Sequence, residues 1–171
     1  MKNIPIQLSL FALLTISTLI SCKKDSAPSN TDADIYEKSK SSTGFTYFKN
    51  SDELLGKSSG TGHSQPFLRT RYNSVAAAKL DSSGKIIEGA IFPEGSLIVK
   101  ELFENATTLD RYAILYKNSS SPDADAKGWV WGYIEANGTV VEPASKKGGS
   151  CISCHTQSGN IDYMLMNKYF P

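Results

Sequence analysis

The sequence predicts an α+β fold, a predominantly antiparallel β-sheet laid out as a meander with a few packing helices. Two observations carry this. Segments 67–72, 96–103, 111–117 and 129–134 are rich in β-branched and aromatic residues, with Tyr112, Ile114 and Tyr116 on one face of their segment and Trp129, Trp131 and Tyr133 on one face of theirs. Asn137-Gly138 then gives a strong hairpin signal, returning the chain as residues 139–141.

In order along the chain, Lys2 precedes an apolar run over 4–20 that ends in Leu19-Ile20-Ser21-Cys22. A short basic start, an apolar stretch and small residues before a break read as a secretory signal. The ending resembles a bacterial lipobox, which implies cleavage before Cys22 and lipidation of that residue. Residues 1–21 are therefore expected to be a lipoprotein signal peptide. Residues 22–44 are rich in Ser, Lys, Asp and Thr and read as a lipid-anchored flexible linker, with at most a short helix within 35–40. Residues 45–171 form the expected folded domain.

Within it, Asn50 or Ser51 is placed to cap a short helix to Leu55, and 56–62 is a Gly/Ser-rich loop. Asn73 can cap a helix over 74–80, where Val75 and three alanines follow. Asp81-Ser82-Ser83-Gly84 and Pro93-Glu94-Gly95 are turns. Lys146-Lys147-Gly148-Gly149 reads as a linker, and a final helix is expected over 161–169. With 18 Lys and Arg against 17 Asp and Glu, the net charge of +1 argues against a nucleic-acid role.

The most specific feature is Cys151-Ile152-Ser153-Cys154-His155, a C-x-x-C-H run. This is the attachment pattern of a c-type haem: two thiols add to the two vinyl groups, and the adjacent histidine supplies an axial nitrogen to iron. A zinc site would need two further ligands, and a thioredoxin-like pair belongs early in a βαβ unit, which nothing here resembles. The chain has three cysteines, and with Cys22 lipidated no thiol remains for a disulfide. Export suits covalent haem. The expected cofactor is thus one haem c on Cys151 and Cys154, with His155 on the iron.

The late position of this motif, the Phe92-Pro93-Glu94-Gly95-Ser96 turn leading into Leu97-Ile98-Val99-Lys100-Glu101, and Trp129-Val130-Trp131-Gly132-Tyr133 together resemble the cytochrome P-460 and cytochrome c′-beta family. Gly62-His63 and Arg69-Thr70-Arg71-Tyr72-Asn73 are also similar. The resemblance spans roughly 44–171. It implies a β-rich, often dimeric domain with a five-coordinate haem whose open side takes nitric oxide, hydroxylamine or carbon monoxide. One branch oxidises hydroxylamine and bonds its haem to an extra lysine; the other binds gases without that bond. The implied setting is the bacterial cell envelope, periplasmic or at the outer membrane, with a redox partner protein.

Lys100 is the candidate for a haem cross-link, with Lys79 second. Both could instead be surface lysines with snorkelling stems. Glu101 is a candidate distal carboxylate to accept protons during oxidation, and Glu135 another. His63, the only histidine outside the motif, would close the open side if it ligated iron; an exposed or hydrogen-bonding role is the favoured expectation. If His63 or a methionine did ligate the iron, the protein would be a six-coordinate electron-transfer cytochrome. Met164 and Met166 are expected to pack in the core. Phe67, Phe92, Phe103, Trp129, Trp131 and Tyr133 could wall a pocket or fill the core.

Overall fold

Side-chain alternation along the expected strands produces one seven-stranded antiparallel sheet. The computed structural model describes residues 30–171; the expected signal peptide, Cys22 and the first part of the expected linker lie outside the described residues. The strands are β1 (Thr46–Tyr47), β2 (Leu55–Gly56), β3 (Phe67–Tyr72), β4 (Leu97–Phe103), β5 (Leu109–Lys117), β6 (Trp129–Glu135) and β7 (Val140–Glu142). Their order is β1-β3-β4-β5-β6-β7, with β2 also pairing with β3. From β3 onward each strand is thus hydrogen-bonded to the next, as a meander requires. The Asn137-Gly138 turn forms as expected, with Gly138 at φ 94 and the Glu135 N–H donating to the Thr139 carbonyl at 2.9 Å.

Pairing register sorts the side chains onto two faces. One face carries Leu68, Tyr72, Ile98, Leu102, Leu115, Trp129 and Trp131 and is covered by the C-terminal segment, including Tyr163, Met164 and Met166. The other carries Leu97, Val99, Tyr112, Ile114, Val130 and Ile134 around Ile35. Both faces are therefore covered, whereas helices on one face were expected. This accounts for β4, in which six of seven residues are buried with no alternation visible in the burial.

The second face is sealed by α1 (Asn30–Lys40), which occupies part of the expected flexible linker. Its buried residues Asp32, Ile35 and Ser39 share one helical face. Ile35 sits where β6 carries Gly132: a Cβ there would lie 2.5 Å from the Ile35 Cδ1. Asp32 Oδ1 accepts the Ala144 N–H at 2.8 Å, and the fully buried Arg71 donates to the carbonyls of Ser39 and Ser41 at the end of the helix. Composition hid this helix because its adhesion depends on one large apolar side chain and several polar tethers.

Other helices are shorter than expected. Asn73 does cap α2, accepting the Ala76 N–H at 2.9 Å, but α2 covers only Ser74–Ala77, and Leu80 then pairs with Ile86 across the 81–84 turn. No helix forms over 51–55, because Leu55 is taken into β2 opposite Leu68. The expected terminal helix is reduced to α4 (Met166–Tyr169). Before it, Asp162 and Tyr163 adopt positive φ, and the Asp162 carboxylate accepts from the Trp129 indole at 3.1 Å and the Phe92 N–H at 3.0 Å. Tertiary hydrogen bonds to a buried indole thus override local helix propensity.

Candidate functional site

The C-x-x-C-H motif forms α3 (Ile152–His155), a single turn of helix entered from Cys151. Residues i, i+3 and i+4 of a helix share a face, so Cys151, Cys154 and His155 point the same way. All three line one cavity of about 370 Å³. The preceding Lys-Lys-Gly-Gly segment, expected as a linker, is a fitted turn. Gly148, at φ 70, lies against the Trp131 ring, where a Cβ would approach to 2.7 Å, and its carbonyl accepts the N–H groups of Cys151 and Ile152 at 2.9 Å. Trp131 thus supports the turn that launches α3, and its ring also meets the His155 ring edge-on at 5.2 Å.

His155 is oriented by its own second bond. Its Nδ1 lies 2.7 Å from the Tyr163 carbonyl, which can only accept, so Nδ1 carries the proton and Nε2 keeps a free lone pair. This is the arrangement by which metal-ligating histidines are usually held. Burial pushes its pKa down to about 4, against the opposing pull of the Tyr163 carbonyl, and keeps the ring neutral. Burial also raises the Cys151 thiol. Neither Cys151 nor Cys154 is in a disulfide.

The cavity wall is completed from three other directions. The sheet contributes Lys100 from β4 and Tyr133 from β6, which share a register row with Thr70 and Ala113. The Gly-rich loop contributes Gly60, Thr61, Gly62 and His63, passing so close that a Cβ at Gly62 would lie 3.9 Å from the Cys154 sulfur. The C-terminal segment contributes Leu165 and Tyr169, whose hydroxyl donates to the Gly60 carbonyl at 3.0 Å. Val141, Glu142, Ser150 and Gln157 line the remainder.

Among the sequence candidates, Lys100 is brought into the cavity. Among the described residues it has no hydrogen-bond or ion-pair partner, and burial pushes its pKa down to about 8. Glu101 does not join it. Neighbouring residues of a strand face opposite ways, and Glu101 points to the second face, where its carboxylate accepts from Arg69 Nε at 2.7 Å and Arg71 Nε at 3.1 Å. This placement keeps Glu101, the expected distal carboxylate, out of the cavity wall. Lys79 and Glu135 also lie away from the wall. The cavity's carboxylate is Glu142, which the sequence reading missed. The Asn137-Gly138 hairpin carries the signal that could have found it, since its register sets Glu142 opposite Tyr133.

His63, expected as a loop residue that is exposed or hydrogen-bonded, lines the cavity with its ring 5.7 Å from that of Tyr133. Burial, then Lys100 and His155, push its pKa down to about 3. Met164 and Met166 are core residues, as expected, and Met166 accepts a bond from the Thr70 hydroxyl at 3.3 Å. Of the six aromatics considered, Tyr133 lines the cavity.

The residues present fit a covalently held haem: two thiols and an oriented, neutral imidazole converge on one cavity walled by sheet and loops. A zinc reading finds no support, since among the described residues no group of three or more His, Cys, Asp and Glu side chains could hold a metal ion. Comparison with protein-family models, with curated proteins and with solved structures finds no match for the chain.

Proposed function

We propose that this protein is a monohaem c-type cytochrome of the cytochrome P-460 and cytochrome c′-beta kind, anchored by lipid at Cys22 in a bacterial cell envelope. It binds or converts small nitrogen compounds, nitric oxide or hydroxylamine, outside the cytoplasm. The observation that carries this reading is the convergence of Cys151, Cys154 and His155 on one cavity, with His155 Nδ1 held by the Tyr163 carbonyl. A bound haem supplies a redox-active iron able to take a small ligand. The chain's own residues do the rest. Cys151 and Cys154 would hold the ring by thioether bonds, and His155 Nε2 would bind the iron. Lys100, a largely desolvated amine on the same wall, would form the additional bond to the ring in the cross-linked branch. Glu142, paired at 3.5 Å with the exposed Lys146, is the wall carboxylate able to accept protons that hydroxylamine must lose.

A second reading has its own observation. His63 lines the same cavity as His155, so a bis-histidine, six-coordinate electron carrier is the alternative. Carbon monoxide titration of the reduced protein separates them. The first reading expects a high-spin spectrum that shifts on adding the gas; a low-spin spectrum indifferent to it supports the second. Within the first reading, a pyridine haemochrome spectrum and intact mass report a lysine bond. An ordinary c-type haemochrome would remove hydroxylamine oxidation by a cross-linked haem. Cys22→Ala should move the protein out of the membrane fraction with an unchanged haem spectrum. Retention would require another anchor.

A further inference from the structure

The chain has two histidines, and both line the same cavity. Their settings differ. His155 donates from Nδ1 to a backbone carbonyl, the usual support of an iron ligand. His63 has no hydrogen bond at either ring nitrogen among the described residues, and its ring rests against that of Tyr133, centroids 5.7 Å apart and tilted by 31°. With neither ring nitrogen engaged by the protein, this partly buried imidazole is free to bond a ligand in the cavity. The Tyr133 ring beside it is itself braced. The Tyr133 ring carries the Arg111 guanidinium 5.1 Å from its centroid. Asp110 accepts from Arg111 Nε at 2.6 Å and Nη2 at 3.3 Å, and from Gln65 Nε2 at 2.6 Å. Gln65 is two residues from His63, so the brace returns to the loop that presents the imidazole.

We propose that His63 donates a hydrogen bond to the small ligand bound in the cavity instead of ligating iron, and that Tyr133 and Arg111 are positioning residues that fix its ring. The proposal rests on the haem reading above. No carbonyl or carboxylate accepts from the His63 ring as that of Tyr163 does for His155, which argues against ligation, while its ring contact with Tyr133 and its place in the wall argue for a fixed donor. The ligand class is a neutral molecule of two or three heavy atoms with an acceptor at its outer end, as nitric oxide and carbon monoxide are.

The test uses the full chain matured with haem in a host competent for c-type assembly, with carbon monoxide as probe. Resonance Raman should give one C–O stretch in the native protein. His63→Ala should raise that stretch and speed carbon monoxide release roughly five- to tenfold, the worth of one hydrogen bond. His63→Gln, which retains a donor, should restore much of both. Tyr133→Leu should split the stretch into several bands, because the imidazole is no longer held in one orientation. An unchanged stretch and release rate in His63→Ala would overturn the proposal. So would a low-spin native spectrum that turns high-spin in His63→Ala, since His63 would then be the sixth ligand. A chain that takes up no covalent haem overturns the cofactor reading itself, and this assignment with it; loss of the His63 effect alone leaves the cofactor reading standing.

Discussion

His155 shows how much chemistry one backbone oxygen can set. The Tyr163 carbonyl fixes the tautomer, and Tyr163 can present it because its backbone stands at φ 74, a conformation that side-chain-bearing residues adopt only under tertiary constraint. Two predictions belong at this scale. Cys151→Ala with Cys154→Ala should abolish haem that stays with the polypeptide on a denaturing gel, since no other pair of thiols lines the cavity; persistent covalent colour would contradict the assignment. The second concerns His63. Its pKa in the fold, about 3, lies below the ordinary 6.5 because burial disfavours the charged ring. The unfolded chain therefore takes up a proton before the folded one does. The stability this group contributes is fully present above about pH 6.5 and is lost as pH falls toward 3. One such proton is worth about 1.4 kcal/mol per pH unit. His63→Gln should reduce the loss of stability between pH 7 and pH 5 by about 2 kcal/mol, read from urea midpoints. An identical pH slope in the variant would mean the ring is solvated.

Among the elements, the strands were the most legible. Residues 67–72 were expected as a strand and form β3 with those bounds, and β4 to β7 differ from expectation by a residue or two at their ends. Period-two patterning and turn residues are local signals, so they survive in the sequence. The helices were less legible, and each miss has a tertiary cause: Leu55 drawn into β2, the 161–164 turn held by Asp162, and α1 fastened by polar contacts from distant parts of the chain. The turn before α3 belongs here too. Gly148 is required twice over, by φ 70 and by the Trp131 ring 2.7 Å from where a Cβ would stand. Gly148→Ala should cost about 2 kcal/mol or more. It should also lower the yield of haem-loaded protein, because α3 would be displaced. Wild-type stability and loading in that variant would show the turn to be adaptable.

At the scale of the whole molecule, the sheet is a partition between two cores. Its second face is a clamp: Arg71, fully buried between Glu101, the Phe45 ring 4.6 Å away and the end of α1, joins the N-terminal helix to the sheet. Glu101 therefore serves architecture on one side while its neighbour Lys100 faces the cavity on the other. A chain beginning at residue 42 should be less stable than one beginning at residue 30 by about 3 kcal/mol or more. It loses the burial of Ile35 and leaves a buried guanidinium short of two acceptors. Equal thermal midpoints for the two chains would mean that α1 contributes little.

The amino-acid sequence alone was enough for the sheet, the Asn73 cap, the Asn137-Gly138 hairpin and the trio Cys151, Cys154 and His155. Each depends on residues a few positions apart, whose spacing maps directly onto strand or helix geometry. Strand register assigned Lys100 and Glu101 to opposite sides. Packing brought His63, Glu142 and Tyr133 to the wall that His155 shares, and it turned a polar stretch into α1. Such outcomes depend on contacts between distant parts of the chain, and a contact of that kind leaves no periodic trace in either segment.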